Sequence, residues 1–207
     1  MNMNSLNFSA RLLLLLVLCC MVGLTACEDD IALPKPHAYP RVEYPAKAYK
    51  PFNSDNCGFT FEQPVYSIVE RDSTFFDQKA GSDCWFNLTV PSLNATIHCS
   101  YFPINNKTHF DELIKDAFEM VNKHNVKASF IEEIQFQKTT NKVYGMIYNI
   151  EGAAASPYQF YATDSVNHFL RGSLYFRTQS RPDSLAPVIA FMKKDVNKLV
   201  ETLKWTK

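Results

Sequence analysis

Residues 108–121, THFDELIKDAFEMV, form the stretch that decides the fold class of this chain. Apolar side chains recur there at the i, i+3, i+4, i+7 spacing of an amphipathic helix: Phe110, Leu113, Ile114, Ala117, Phe118 and Val121. Thr108 and Asp111 stand at the spacing of a capping box, with Asp in place of the usual Glu. The sequence therefore predicts an amphipathic helix that begins at Thr108 and ends near Lys123.

Strand-like patterns lie on both sides of this helix. They cover residues 59–61, 65–69, 85–90 and 95–102 before it, and residues 130–137, 143–150, 158–162 and 168–177 after it. The links between the later strands are short, which is typical of antiparallel hairpins. A second apolar stripe from Ser184 to Leu203 predicts a C-terminal helix with Pro187 in its first turn. This order predicts an α+β fold, an antiparallel β-sheet packed with two main helices.

The N-terminus carries the pattern of a lipoprotein signal. An apolar run from Leu12 to Leu24 follows a positive charge and is too short to span a bilayer. Leu24-Thr25-Ala26-Cys27 resembles a bacterial lipobox, which implies lipid transfer to the Cys27 sulfur, cleavage before Cys27 and N-acylation of the new terminus. An ordinary signal peptide or an anchor helix is the alternative, but the acidic residues 28–30 argue against an anchor helix. We expect a signal peptide at residues 1–26 and a membrane-anchored product that does not span the membrane.

The next segment, residues 27–56, is predicted to be a Pro/Tyr-rich tether that starts at the lipidated cysteine. Its prolines restrain the backbone to extended geometry: Pro34, Pro36, Pro40, Pro45 and Pro51. Tyr39, Tyr44 and Tyr49 make the segment too aromatic for a purely solvated spacer. Part of it should therefore dock on the following domain or on a partner. The single α+β domain is expected to span residues 57–207.

Charge and composition exclude some classes of function. The chain has 21 basic and 21 acidic residues and loses only Arg11 with the signal, so 20 basic residues remain against 21 acidic ones. Since no basic cluster stands out, nucleic-acid binding is not expected. Hydrophobic residues make up 46% of the chain, which is ample for a core.

Three cysteines remain once the signal and Cys27 are set aside. In an oxidising compartment Cys57 and Cys84 could form a disulfide that closes a loop of 27 residues (84 minus 57). Such a bridge would stabilise the fold by roughly 3–4 kcal/mol. Cys99 falls in an alternating strand pattern and is expected to be a small buried hydrophobe. Three reduced, buried cysteines are the alternative, and the sequence does not decide between the two.

Residues that could carry catalysis are scattered along the chain. His37, His98, His109, His124 and His168 fall in different predicted elements, and no Cys/His spacing suits zinc. The few glycines form no phosphate-binding loop and no nucleophile elbow. His98 and Ser100 could share one strand face, which leaves a hydrolase that uses His98 as one hypothesis. We expect no catalytic residues, no metal and no cofactor.

Two segments carry a recognisable pattern. They are residues 34–45, PKPHAYPRVEYP, and residues 184–205, which run from Ser184-Leu185-Ala186-Pro187 through Lys193-Lys194-Asp195-Val196 to Trp205. Together they resemble the gliding-motility lipoprotein GldD family of Bacteroidota. Cys57, Cys84-Trp85 and Ile97-His98 also stand at family-like positions. One departure is His37-Ala38, where family members tend to carry Arg-Gly. The resemblance covers essentially the whole mature chain.

This resemblance implies a part in gliding motility and the linked secretion machinery of the cell envelope, without enzymatic activity. Other envelope proteins are the implied partners, and we expect the chain to face the periplasm from the inner or the outer membrane. The order of strands and helices is also similar to that of PsbP/Mog1-like sandwiches, which is a likeness of fold alone.

Two hypotheses about binding follow. In the first, the protein acts through partner proteins, which contact Tyr39, Arg41 and Tyr44 because aromatic, pre-extended segments bind at a low cost in ordering. In the second, it is a periplasmic ligand- or glycan-binding module. A large apolar cleft lined by tyrosines would favour the second: Tyr144, Tyr148, Tyr158 or Tyr161.

Overall fold

A seven-stranded antiparallel sheet carries the fold in the computed structural model, which describes residues 41–53, 57–71, 74–75, 78–79, 84–178 and 182–206. In spatial order the strands are β3 (Ile68–Arg71), β6 (Phe86–Val90), β7 (Ala95–Pro103), β11 (His168–Phe176), β10 (Tyr158–Thr163), β9 (Val143–Gly152) and β8 (Ala128–Lys138). Every pairing within this main sheet is antiparallel. Short links between sequential strands, such as the one at residues 164–167, account for the hairpin pairings, whereas β7 pairs with β11 and β3 with β6 across intervening elements.

The remaining described elements are two smaller sheets and the helices. A small sheet has the order β1 (Tyr49–Asn53), β2 (Phe59–Pro64) and β12 (Lys204–Trp205), and β4 (Thr74–Phe75) pairs with β5 (Gln78–Lys79). The two α-helices are α1 (Lys107–Asn122) and α2 (Pro182–Thr202), and short 3-10 turns occupy Pro91–Leu93 and Thr139–Asn141. Helices segregated on an antiparallel sheet define an α+β fold, so the predicted class is confirmed.

One face of the main sheet packs against α2 and the small sheet. The apolar stripe predicted for α2 is buried there, and it includes Val188, Met192, Val196 and Leu199. Four phenylalanines from three strands stack beside it with ring centroids between 4.5 and 6.2 Å apart: Phe52, Phe59, Phe61 and Phe86. Full burial of one such side chain contributes about 1.5–3 kcal/mol, so this layer stabilises the fold substantially.

The opposite face of the main sheet packs against α1. Leu113, Ala117 and Val121 are the buried positions of this helix. Leu113 and Ala117 contact Phe169 of β11, and Val121 lies in a cluster with Tyr148 of β9. The spacing of four residues between successive members places all three on one side of the helix, as the periodicity predicts.

The structure corrects both predicted helix starts. Helix α1 is capped by Asn106, whose side-chain oxygen accepts the backbone N–H of His109 at 2.9 Å, so the prediction that Thr108 caps it is wrong. Helix α2 begins at Pro182, and Pro187 lies five residues further on instead of in the first turn. A proline at the first helical position loses no intrahelical bond, which favours the earlier start.

The domain also begins earlier than the predicted boundary at residue 57. One compact unit spans Ala38–Lys207. Strand β1 pairs with β2 in the register Phe52↔Phe61, and Phe52 is only 8% exposed. The second half of the predicted tether therefore belongs to the fold, because its aromatic residues supply a strand and part of the core.

Cys57 and Cys84 are joined by a disulfide, with their Cα atoms 5.5 Å apart. The bridge connects the start of the β2 segment to the start of the β6 segment, across a stretch that includes the β4–β5 hairpin. Cys99 is a free cysteine buried in β7, and burial raises the pKa of its thiol.

Candidate functional site

Arg41 and Tyr44 lie on the segment of residues 41–53, which we call the arm. Tyr39, the third residue predicted to contact a partner, and the predicted lipidation site Cys27 lie outside the described residues. The arm has no regular secondary structure before Tyr49 and then continues as β1. The carbonyl of Ala48 accepts the backbone N–H of Val65 at 2.9 Å, which ties the end of the irregular part to the turn after β2.

Asp195 of α2 holds the arm against the domain. Its side chain is 0% exposed, and Lys47 Nζ lies 2.6 Å from Oδ1. The Tyr49 hydroxyl donates to Oδ1 at 3.0 Å, and the Tyr66 hydroxyl lies 2.9 Å from both carboxylate oxygens. A buried carboxylate is tolerated only when it is paired and hydrogen-bonded, and these three donors meet that condition. We call Asp195, Lys47, Tyr49 and Tyr66 the Asp195 cluster.

The ring of Phe191, one helical turn before Asp195, forms the floor of this contact. Lys47 Nζ lies 3.3 Å from the centroid of the ring and also donates to the Phe191 carbonyl at 3.0 Å. The rings of Tyr44 and Tyr66 lie 4.9 and 6.0 Å from it, centroid to centroid. A cation over an aromatic face adds about 0.5–2 kcal/mol of stabilisation. Lys47 is therefore held both by its ion pair with Asp195 and by its cation–π contact with Phe191.

Burial shifts the proton affinities of the three donors. Burial lowers the pKa of Lys47 more than its hydrogen bond to Asp195 raises it. Burial and then the hydrogen bond to Asp195 raise the pKa of Tyr49 to about 12, and the same two causes raise the pKa of Tyr66. Both phenols therefore stay protonated at physiological pH and act as hydrogen-bond donors.

The arrangement fixes the position of the arm and leaves part of it accessible. The lysine ammonium and both phenolic hydroxyls are directed to one carboxylate, so the cluster acts as a structural lock. Tyr44 nevertheless keeps 41% of its surface exposed, and Arg41 is exposed. These two predicted contact residues thus lie at the exposed edge of a segment that is held in a defined position.

Lys47, Tyr66, Phe191 and Asp195 are the site residues that sequence reasoning missed. One signal was present: Asp195 falls on the apolar stripe of α2, three residues after Met192 and four before Leu199. A carboxylate on a buried stripe indicates a specific partner. The adjacent Lys193-Lys194 made it resemble a solvated charged face instead.

The histidines lie in separate environments. The Nδ1 of His98 is 2.6 Å from the side-chain oxygen of Asn87, and its ring meets Tyr175 edge-on. The Nδ1 of His168 is 2.7 Å from the Tyr101 hydroxyl. His109 lies at the capped start of α1. His124 follows the end of that helix, where burial lowers the pKa of its imidazole. His37 is outside the described residues.

The tyrosines proposed to line one cleft are divided between the two faces of the main sheet. Tyr158 belongs to the α2 face and donates its hydroxyl to Asn197 at 2.8 Å. Tyr148 and Tyr161 lie on the α1 face with their ring centroids 6.5 Å apart, and the strand register puts Tyr144 on that face too. The four side chains therefore do not converge on one pocket.

The described part of the chain contains neither a membrane-spanning helix nor a cluster of potential metal ligands. No described helix is long and apolar enough to cross a membrane. In the same ranges no three His, Cys, Asp or Glu side chains gather where they could hold a metal ion.

The fold and the site define a class of protein: an α+β domain whose N-terminal arm is locked onto its C-terminal helix. A family model described as "Gliding motility lipoprotein GldD" matches residues 29–205. The chain therefore belongs to the gliding motility lipoprotein GldD family, and the predicted resemblance is confirmed. Residues 34–45 and 184–205 had suggested this family, and the described parts of these two segments meet where Tyr44 contacts Phe191.

The chain was also compared with curated proteins and with solved structures. The comparison with curated proteins found no match. Among solved structures, the chain is similar to the solution structure of cyanobacterial PsbP (CyanoP) from Synechocystis sp. PCC 6803, with 10% identity and a TM-score of 0.47. That similarity covers 77% of this chain and 93% of the cyanobacterial one.

Proposed function

We propose that this protein is a lipid-anchored component of the cell envelope that serves gliding motility, or the linked secretion machinery, through contacts with partner proteins and without catalysis. The family match over residues 29–205 is the observation that carries this proposal. The arm supports it, because its position on the domain is fixed while Arg41 and Tyr44 stay exposed.

The anchor in this proposal is lipid on Cys27, with the mature chain facing the periplasm. The proposal rests on the lipobox-like Leu24-Thr25-Ala26-Cys27. Two or more acyl chains hold a protein stably on a membrane, whereas one binds only marginally. Cys27→Ser should therefore move the protein from the membrane fraction to the soluble fraction with its fold intact. A Cys27→Ser variant that still sediments with membranes would show that the anchor lies elsewhere.

The partner surface in this proposal consists of Tyr39, Arg41 and Tyr44. A segment held in one conformation binds with a smaller loss of entropy than a free one, so the Asp195 cluster would pre-organise this surface. Aromatic and arginine side chains are also the residues that most often dominate binding energies in interfaces. Tyr44 supplies an aromatic side chain and Arg41 supplies an arginine.

Affinity capture from solubilised envelope tests this surface. The variant Tyr39→Ser/Arg41→Ala/Tyr44→Ser should recover much less of the partners that crosslinking identifies with the wild-type protein. Lys50→Ala is the matched control, because Lys50 is an exposed cation on the same arm that lies outside the proposed surface. A cooperative thermal unfolding transition in both variants shows that the arm change has not unfolded the domain. Partner recovery that is unchanged in the triple variant would refute the assignment.

A further inference from the structure

A cleft that shares no residue with the Asp195 cluster lies where two turns and strand β12 converge. Its volume is about 390 Å³, which is within the range of pockets for small ligands. It is lined by the turn at residues 140–142, by Asp164 and Asn167 of the β10–β11 turn, and by both residues of β12. All of these segments belong to the described part of the domain.

Trp205 supplies an aromatic surface that is fixed in place. Its indole N–H donates to the Lys142 carbonyl at 3.1 Å, and its ring stacks on His168 at 4.9 Å with an interplanar angle of 8°. His168 is itself positioned by Tyr101, whose hydroxyl lies 2.7 Å from Nδ1. Because the N–H group is already bonded within the protein, Trp205 can offer a ligand only the apolar surface of its ring.

The two turns of the cleft are held in uncommon backbone conformations. Lys142 has φ = 50° and Ser165 has φ = 66°, a region that non-glycine residues seldom occupy. In the second turn, Asp164 Oδ1 accepts the backbone N–H groups of Val166, Asn167 and His168 at 2.8–3.0 Å. Burial opposes ionisation of Asp164, but these hydrogen bonds together hold its pKa below the usual value. Turns that are over-determined in this way pre-organise a site.

The polar groups of the cleft that could bind a ligand are mainly hydrogen-bond donors. Lys142 and Lys204 line it, and neither forms an ion pair among the described residues. The one carboxylate among the lining residues, that of Asp164, uses Oδ1 to accept three backbone N–H groups of its own turn, and its negative charge stands against the two positive charges of the lysines. The amides of Asn141 and Asn167 add groups that both donate and accept. The cleft therefore presents a flat apolar ring, two amides, the hydroxyl of Thr140, and two ammonium groups against one carboxylate, so its lining carries a net positive charge.

We propose that this cleft binds an acidic saccharide, a sugar ring that carries a carboxylate. The apolar C–H face of a sugar ring fits the surface of Trp205, and its hydroxyls match the amides of Asn141 and Asn167. The carboxylate pairs with Lys142 and Lys204 through charge-assisted hydrogen bonds. This inference is independent of the proposed partner surface, because no residue is shared between the two.

The test is titration of the full-length lipoprotein in detergent, followed through its tryptophan indole NMR signals. The chain has only two tryptophans, and Trp85 donates its indole N–H to the backbone carbonyl of Tyr101 within the core, so it serves as an internal reference. Trigalacturonate is the probe. It should shift the Trp205 signal in a saturable manner and leave the Trp85 signal in place. A Trp205→Phe variant assigns the signals.

Matched ligands and variants identify the groups that bind. Neutral maltotriose should bind at least about tenfold more weakly than trigalacturonate. Lys204→Ala and Lys142→Asn should each lower the affinity for trigalacturonate about tenfold, whereas Lys115→Ala, an exposed lysine on α1, should not change it. Asn is chosen at position 142 because it tolerates the left-handed backbone.

The proposal would be overturned by no shift of Trp205 at about 10 mM trigalacturonate, by equal affinity for maltotriose, or by unchanged affinity in both lysine variants. Tighter binding of glucose 6-phosphate than of galacturonate would also overturn it and would indicate a phosphorylated ligand. The lysine variants change exposed termini of side chains, so the test does not depend on whether a Trp205→Ala variant folds.

Discussion

Replacing Asp195 by Asn is the sharpest test of how the arm is held. The substitution keeps the size of the side chain and removes the negative charge. Lys47 Nζ lies 2.6 Å from Oδ1, and at an effective dielectric constant of about 20 that contact is worth about 6 kcal/mol of Coulomb energy. Lys47 keeps 26% of its side chain exposed, so water recovers part of this energy. The two phenols also keep one acceptor oxygen.

We therefore expect Asp195→Asn to lower the free energy of unfolding by about 2–4 kcal/mol, near the lower end of the cost of breaking a buried ion pair. The assay is urea unfolding of the wild type, Asp195→Asn, Lys47→Met and the double variant. Because the two residues share one interaction, the double variant should be more stable than the sum of the single effects by about 1–3 kcal/mol. Hydrogen exchange should show faster exchange at Val65, whose amide bonds to the arm at Ala48.

Three results would refute this reasoning. A cost below about 0.5 kcal/mol for Asp195→Asn would place the contact among ordinary surface ion pairs. Additive single effects would show that Lys47 and Asp195 do not depend on each other. Unchanged exchange at Val65, with the stability lowered, would show that the charge stabilises α2 and not the arm.

Three further predictions concern the disulfide, the hydroxyl of Tyr49 and the packing at Gly145. Changing Cys57 and Cys84 together to Ser should lower the free energy of unfolding, measured by urea denaturation, by about 3–4 kcal/mol. Reduction of the disulfide in the wild type should have the same effect. Equal stability with and without reductant would contradict this prediction. Tyr49 has a pKa of about 12 in the folded state and about 10 in the unfolded state, so it contributes stability below pH 10 that is lost as the pH rises from about 10 to 12. The stability difference between wild type and Tyr49→Phe should therefore shrink over that range. A constant difference would argue against the contact with Asp195. Gly145→Ala should lower stability by about 1–3 kcal/mol or more in thermal melts, because the added Cβ would meet the backbone oxygen of Tyr161 and come within 2.5 Å of the Phe136 ring. An unchanged melting temperature would mean that the backbone at Tyr161 and the Phe136 ring both move aside without cost.

The regular elements of the fold were predictable because their patterns are local. The spacing of Leu113, Ala117 and Val121 places all three on one side of α1, and the structure buries them together. Strand β7, predicted at residues 95–102, occupies Ala95–Pro103. The caps were less predictable, because Asn106 and Thr108 are both good capping residues and only the geometry of the chain decides between them.

The short strands were harder to predict than the long ones. Strand β12 has two residues, Lys204 and Trp205, and gains its hydrogen bonds only because β2 lies beside it. Strand β1 contains Pro51 and lies in a proline-rich segment, so its pattern favours an extended tether. An edge strand tolerates such a proline, and the burial of Phe52 decides the outcome. Neither fact is visible in the local sequence.

The Asp195 cluster shows most clearly where local patterns stop being sufficient. Lys47 and Asp195 are 148 residues apart, and the local sequence around either residue does not indicate that the other is its partner. The position of Asp195 between Met192 and Leu199 on the buried stripe does establish that a partner must exist, because an unpaired buried carboxylate would be too costly to keep. Candidates for that partner are cations or hydroxyl donors in a segment without a core of its own, and the arm, with Lys47 and Tyr49, is such a segment. A polar residue on an apolar stripe is therefore a prediction of a long-range contact, even where its partner has to be found in the structure.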